Sequence, residues 1–137
     1  MVYEIRIAAK FPTDSKGAGL LAEIRRALGI NSIRKIRTAK VYRLEGLDEK
    51  DAKLISEKLL HEPIEQIMGF NKPLFNDADR KIEVAYKPGV MNPEAGSIIK
   101  SAKDLGVNLK AADSSWEYAF YGKLSQAKLS EIIDKLL

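Results

Sequence analysis

The chain contains 137 residues, of which 45% are hydrophobic and 31% are charged, a composition typical of a folded, water-soluble protein. Its net charge of +4 is mild, and its lack of cysteine excludes disulfides, thiolate nucleophiles and cysteine-based zinc sites. No apolar run approaches the roughly 18 residues that cross a bilayer, and the alternating N-terminus does not resemble a signal peptide. We therefore expect a cytoplasmic protein with one domain or two tightly joined half-domains.

The chain opens with a predicted strand and a predicted helix. Tyr3, Ile5 and Ile7 alternate with charged residues, which is the period of a half-buried strand. The segment AGLLAEIRRALGI (18–30) then carries an apolar stripe at helical spacing. Gly29 stands near its end, where a helix C-cap favours a residue in the left-handed conformation.

A second strand and helix complete the first half. Tyr42 and Leu44 lie on one face of the predicted strand, and Asp48 is the predicted N-cap of the following helix. The segment HEPIEQIMGF (61–70) predicts a further short strand. Residues 71–79 are rich in asparagine, aspartate and proline, and they predict a linker.

The second half repeats this order of elements. Alternation resumes at Ile82 and Val84, and Asn92 suits an N-cap with Pro93 at the first helical position. The next predicted strand carries three aromatic residues on one face: Trp116, Tyr118 and Phe120. Ser125 is the predicted N-cap of the last helix.

The two halves also match in sequence. AGLLAEIRRALGI matches AGSIIKSAKDLGV (95–107) at a shift of 77 residues, and residues 47–60 match residues 124–137 at the same shift. VYRLEG (41–46) matches EYAFYG (117–122) one residue out of step. We therefore predict a duplicated α+β fold in which antiparallel sheets carry helices on one face.

We expect the half-domains, residues 1–70 and 80–137, to be related by a pseudo-twofold axis, as an internal mimic of a dimer. The predicted interface between them consists of five side chains that would pair two apolar sheet faces: Tyr42, Leu44, Trp116, Tyr118 and Phe120. Aromatic residues on a strand could instead stack on bases, although no basic-aromatic signature surrounds these.

Residues with catalytic chemistry are scarce, so we predict no catalytic residue and no metal site in this chain. His61 is the only histidine, which excludes a two-histidine metal site, and it suits the C-terminal end of a helix. The sequence has no GxxxxGK[ST] loop and no GxGxxG fingerprint. Such a composition favours a scaffold, regulatory or assembly role.

The basic excess concentrates in residues 25–43: Arg25, Arg26, Arg34, Lys35, Arg37, Lys40 and Arg43. This cluster could meet phosphates or an acidic partner surface. A solvated helix end and strand face is the simpler interpretation, so nucleic acid is an alternative and not the expected partner.

KPGVMNPEAGSIIKSAKDLGV (87–107) resembles the signature loop and first helix of the PurS family, the small subunit of phosphoribosylformylglycinamidine synthase. Seven residues carry the resemblance: Lys87, Pro88, Gly89, Pro93, Gly96, Leu105 and Gly106. The first half is similar in its body but has FPTDSKG (11–17) in place of the signature loop. Two such units in one chain resemble the N-terminal region of the fused forms of this synthase.

The resemblance implies a non-catalytic component that bridges the synthetase and glutaminase parts of this enzyme of purine biosynthesis. ATP, Mg and glutamine would be used by the assembled enzyme, and this chain would bind no cofactor and no membrane. Seven residues form the expected partner-contact or anion-binding loop: Lys10, Lys87, Pro88, Gly89, Asn92, Pro93 and Glu94. Gly96 would keep the start of its helix slim, so that another backbone approaches closely.

A small-molecule-sensing module is the alternative function. Paired α+β units often hold a ligand at their junction. In that case Lys10 and Lys87, which align at the shift of 77, would face an anion.

Overall fold

A computed structural model describes residues 1–10, 14–87 and 90–137 of the chain. Within these residues the elements are five strands and four α-helices, in the following order: β1 (Val2–Ala9), α1 (Ser15–Leu28), β2 (Ile33–Glu45), α2 (Glu49–Ile55), β3 (Gln66–Phe70), β4 (Arg80–Ala85), α3 (Pro93–Asp104), β5 (Ala111–Gly122) and α4 (Gln126–Leu136). Helix α2 continues as a short π-helical segment, Ser56–Leu60. The α+β class is therefore confirmed.

All five strands form one antiparallel sheet in the order β3-β1-β2-β5-β4. The central pair is β2 with β5, which runs from Ile33 opposite Gly122 to Glu45 opposite Ala111. Lys40 lies opposite Trp116 near the middle of this pair. The predicted short strand after His61 is confirmed as β3, which pairs with β1.

The helices pack against one face of the sheet in two apolar clusters. One cluster joins α2 and α3 to the strand residues Tyr3, Ile5 and Leu44. The other joins α1 and α4 to Ile36 and Phe120. These strand positions alternate along their strands, as burial of one sheet face requires.

The predicted helix ends match the structure. Gly29 has a φ of 65° at the C-cap of α1. Asp48, Asn92 and Ser125 each accept a hydrogen bond from a backbone N–H in the first turn of their helix. These bonds satisfy donors that would otherwise lack a partner.

The prediction that another backbone approaches Gly96 closely is wrong. Such a close approach occurs at Gly17 of α1. A Cβ atom at Gly96 would meet nothing within 4 Å. A Cβ atom at Gly17 would overlap the carbonyl group of Ile36 on β2. Because only glycine avoids this overlap, α1 can lie directly against the backbone of β2.

The predicted linker is part of the core on the sheet face opposite the helices. Phe75 is fully buried there among Ala8, Ala39, Ala119 and Tyr121. Two aspartates of the same segment accept hydrogen bonds from residues of β5. The Tyr121 hydroxyl donates to Asp77 at 3.0 Å, and the Gly122 N–H donates to Asp79 at 2.7 Å. Residues 71–79 therefore pack on part of this sheet face and are more than a spacer.

A charged network spans the rest of that face. Arg6 of β1 donates to Glu117 of β5 at 3.0 Å, and both side chains are largely buried. Arg43 of β2 bridges Glu4 at 3.0 Å and Glu83 at 2.6 Å. The network therefore links β1, β2, β4 and β5 through side chains as well as through the sheet's own hydrogen bonds.

The ionisation of Glu83 makes the stability of the fold depend on pH at the acidic end. Hydrogen bonds from Arg43, and a further one from Ser115, hold the pKa of this carboxyl at about 2, below its usual 4.5. A carboxyl whose pKa is lowered by folding stabilises the fold fully above its unfolded pKa, and this stabilisation is lost as the pH falls toward its folded pKa. We expect the melting temperature to fall between about pH 5 and pH 2.

Glu83→Gln is expected to lower the melting temperature at pH 7 and to make its fall toward low pH smaller. Thermal unfolding followed by circular dichroism measures both effects. Glu57→Gln, at an exposed position, serves as the matched control. If the melting temperature fell equally toward low pH in Glu83→Gln and in the control, Glu83 would not contribute to this pH dependence.

Candidate functional site

The most distinctive polar site is a cleft at the centre of the helix-bearing face, where α1 and α3 both begin. We call it the central cleft and define it by Lys16, Lys40, Glu94 and Trp116. The Lys16 ammonium lies 4.4 Å from the centroid of the Trp116 ring, and the Lys40 ammonium lies 4.8 Å from it. Lys40 also forms an ion pair with Glu94 at 2.5 Å.

Two cavities flank the Lys40–Trp116 pair, and both are lined by these two residues. The cavity of about 290 Å³ is bounded further by residues around the start of α1, including Asp14, Ser15 and Lys16. The cavity of about 240 Å³ is bounded by the end of β4 and by Glu94. Each is of a size that admits only a small ligand or a few side chains of a partner.

Asp14 fixes one side of the cleft. Its carboxylate accepts hydrogen bonds from the Gly17 N–H at 2.8 Å and from the Thr38 N–H at 2.6 Å. The Thr38 hydroxyl donates to the same carboxylate at 3.0 Å. Asp14 therefore caps α1 and attaches the start of this helix to the middle of β2.

Asn92 fixes the other side in a similar way. Its side-chain oxygen accepts from the Glu94 N–H at 2.9 Å, which caps α3. Its amide nitrogen donates to Asp113 at 2.9 Å and to the hydroxyl of Ser114 at 3.0 Å, both on β5. Pro93 occupies the first position of α3, as predicted.

The chemistry of the cleft is that of recognition. Two ammonium groups beside one indole ring suit an anion that also carries a flat or apolar group. Burial, and then the nearby charge of Glu94, raises the pKa of Tyr42, so this hydroxyl stays protonated at neutral pH. Among residues 1–10, 14–87 and 90–137, no group of three or more histidine, cysteine, aspartate or glutamate side chains could hold a metal ion.

The structure places the predicted loop residues in different surroundings. Glu94 lines the smaller cavity and pairs with Lys40, whereas Asn92 and Pro93 begin α3 next to it. Lys87 is exposed, and its carbonyl oxygen accepts from the Val90 N–H at 3.0 Å. Pro88 and Gly89, which were predicted to shape the loop, lie outside the described residues.

The lysines of the cleft differ from those expected. Lys10 donates from its side chain to the Pro63 carbonyl at 2.9 Å, beside the turn that leads into β3. Both cavities are lined by Lys40, and the larger is also lined by Lys16; neither is lined by Lys10 or Lys87. Sequence reasoning missed this pair because only the register of β2 with β5 places Lys40 opposite Trp116.

The predicted interface residues all lie on the two central strands, β2 and β5. β2 and β5 pair edge to edge through their backbones within one sheet, so these residues lie side by side on it and not between two sheets. The five side chains pack instead against helices of the two clusters: Tyr42, Leu44, Trp116, Tyr118 and Phe120. These residues are thus packed under helices, and the pseudo-twofold relation between two half-domains stays a prediction.

The basic cluster of the sequence is divided between the two sides of the sheet. Lys40 faces the central cleft, whereas Arg43 and Arg37 belong to the opposite face, where Arg43 pairs with acids and Arg37 lies 4.7 Å from the Phe75 ring. On α1, Arg26 pairs with Glu23 at 2.6 Å. These arrangements favour internal roles for the cluster over one continuous phosphate-binding stripe.

Comparison with known proteins gives no family match, because neither a protein-family model nor a curated protein matches this chain. Among the helices of the described ranges, none has the length and apolar character needed to cross a membrane.

Proposed function

We propose that this chain is a non-catalytic assembly component of phosphoribosylformylglycinamidine synthase, which bridges the synthetase and glutaminase parts of that enzyme in purine biosynthesis. In this proposal the chain consists of two tandem PurS-like halves related by a pseudo-twofold axis. The pairing of the two halves within one chain then replaces a symmetric dimer interface, so the surface of each half can change independently to fit its own partner.

The observation that carries the proposal is the arrangement of strands around Lys40 and Trp116. These two residues lie opposite each other in the central pair, and they are 76 positions apart. The same shift aligns VYRLEG with EYAFYG. An axis through this pair would exchange β2 with β5 and β1 with β4, in agreement with the strand order β1-β2-β5-β4.

The helices follow the same relation. Residues 15–28 of α1, shifted by 77, become 92–105, and α3 covers Pro93–Asp104. Helix α2 and its π-helical extension, 49–60, become 126–137, and α4 covers Gln126–Leu136. Asp14 attached to Thr38 and Asn92 attached to Ser114 are corresponding anchors in the two halves.

The proposed mechanism is geometric. Helices α1 and α3 both begin at the central cleft, and the sequences before them differ, so the two halves would present unequal surfaces to two partners. Exposed apolar side chains beside the second loop, Val90 at 55% and Met91 at 85% exposure, fit a surface that a partner covers. Ammonia transfer would depend on the alignment of the partners and not on a reactive group of this chain.

The test is an activity assay of the synthase with and without residues 1–137. We expect omission of this chain to lower glutamine-dependent product formation at least about tenfold, and to lower the reaction with free ammonia much less, because free ammonia bypasses the bridge. Equal glutamine-dependent rates with and without the chain would reject the proposal.

Small-molecule sensing is the second candidate function, and the central cleft is the observation that favours it. Because Trp116 is the only tryptophan, its fluorescence reports directly on occupancy of this cleft. A panel of amino acids and nucleotides tested by thermal shift should raise the melting temperature if one of them binds. A fluorescence change that Lys40→Ala abolishes would locate that ligand in the cleft.

A further inference from the structure

Strands β1 and β4, which correspond to each other in the two proposed halves, differ in their outer neighbours. The outer edge of β1 is covered by β3, with Ile5 opposite Phe70 and Ile7 opposite Met68. Within the described ranges, β4 pairs with a strand on one side only, because it ends the strand order. A free edge presents unpaired N–H and C=O groups that another strand can satisfy.

Apolar surface is exposed along this free edge. Val84 is 38% exposed on β4, and Tyr86 just beyond the strand is 50% exposed. Ile133 of α4, the helix that packs in the same cluster as Ile82, is 38% exposed. At the corresponding place in the first half, Met68 and Phe70 of β3 pack against the apolar cluster.

We propose that the outer edge of β4 binds an extended segment of another polypeptide as a sixth, antiparallel strand. Its apolar residues would recur at every second position and pack over Ile82 and Val84. Such strand addition derives affinity from main-chain hydrogen bonds and specificity from alternating side chains. The inference rests on the sheet edge and stands whether or not the chain belongs to the synthase.

Charge decides what kind of segment fits. Residues 80–87 contain three basic residues, Arg80, Lys81 and Lys87, and a single acidic residue, Glu83. Arg43 already forms an ion pair with Glu83 at 2.6 Å. A second copy of this chain paired through β4 would therefore bring together two segments that each carry a net positive charge. An acidic and apolar segment is complementary, so the occupant is a strand of a different protein.

Strand β3 and the turn before it supply a model of such a segment. The sequence EPIEQIMGFN (62–71) carries two glutamates and pairs with β1 in a known register. Transferred to β4 by the shift of 77 that places Ile5 on Ile82, this register puts Phe70 opposite Ile82 and Met68 opposite Val84.

The test uses a fluorescein-labelled peptide EPIEQIMGFN, a scrambled peptide of the same composition, and the full 137-residue chain, with binding followed by fluorescence anisotropy. We expect saturable binding of the first peptide, and we expect Val84→Lys to weaken it at least about tenfold, since the charged side chain replaces the apolar contact opposite Met68 of the peptide. Ile64→Lys, at a position 80% exposed and outside β4, should leave binding unchanged.

Thermal melts of both variants establish that they are folded. Binding that is equal for wild type and Val84→Lys, equal for the scrambled peptide, or absent at about 1 mM protein overturns the proposal. A dimer of the wild-type chain in light scattering that Val84→Lys dissociates would also overturn it, because the edge would then bind a second copy.

Discussion

Replacing Phe75 with alanine is expected to lower the free energy of unfolding by about 3–5 kcal/mol, the usual cost of removing a large aromatic side chain from a core. Phe75 is fully buried although it lies in a polar segment between β3 and β4. Its ring packs on alanines of three central strands and lies beneath Arg37. The cavity left behind cannot collapse easily, because these backbones are fixed in one sheet.

Urea unfolding of Phe75→Ala and of the control Ile64→Ala measures this effect. Ile64 is also an apolar residue outside the regular elements, but it is 80% exposed, so its replacement should cost little. Equal stability of the Phe75 variant and wild type would mean that residues 71–79 are only a spacer, as their composition suggests.

Arg6→Met is expected to lower the free energy of unfolding by about 3–5 kcal/mol, because it leaves a buried carboxylate without its partner. The Arg6 and Glu117 side chains are only 13% and 8% exposed, and they lie 3.0 Å apart. The second oxygen of Glu117 already has no hydrogen-bond partner in the described part of the chain. Loss of Arg6 would therefore leave this carboxylate with little compensation.

The double variant Arg6→Met/Glu117→Leu separates the cost of an unpaired charge from the worth of the ion pair. We expect it to be more stable than Arg6→Met alone, because neither charge of the buried pair remains. Glu117→Leu alone should cost less than Arg6→Met, since Arg6 keeps its ion pair with Glu4. Additive effects of the two replacements in urea unfolding would contradict the coupling.

Local sequence patterns predicted much of the fold. Alternation at Tyr3, Ile5 and Ile7, and caps at Asp48 and Ser125, depend on neighbours within a few residues, so the sequence carries them directly. The internal sequence match also predicted that the order strand, helix, strand, helix would occur twice, as it does in β1–α2 and β4–α4. The class of fold followed, because four one-faced helices require a sheet face to cover.

Features that depend on contacts between residues distant in the sequence could not be predicted from local patterns. Phe75 stands alone among asparagine, aspartate and proline residues, so it has no period that would reveal burial. The joining of β2 to β5 by their edges depends on backbone hydrogen bonds, which any residue can make. The site was missed for the same reason, since Lys40 approaches Trp116 only in one register.

Complex formation with the synthetase tests the central claim most directly. The chain and the purified synthetase, mixed in equal amounts, would be measured by size-exclusion chromatography with light scattering, and complementary surfaces of partners should keep them together. The proposed bridging role predicts a complex of defined stoichiometry that shifts the elution of both proteins. Separate elution of the two proteins, each at its own mass, would contradict it.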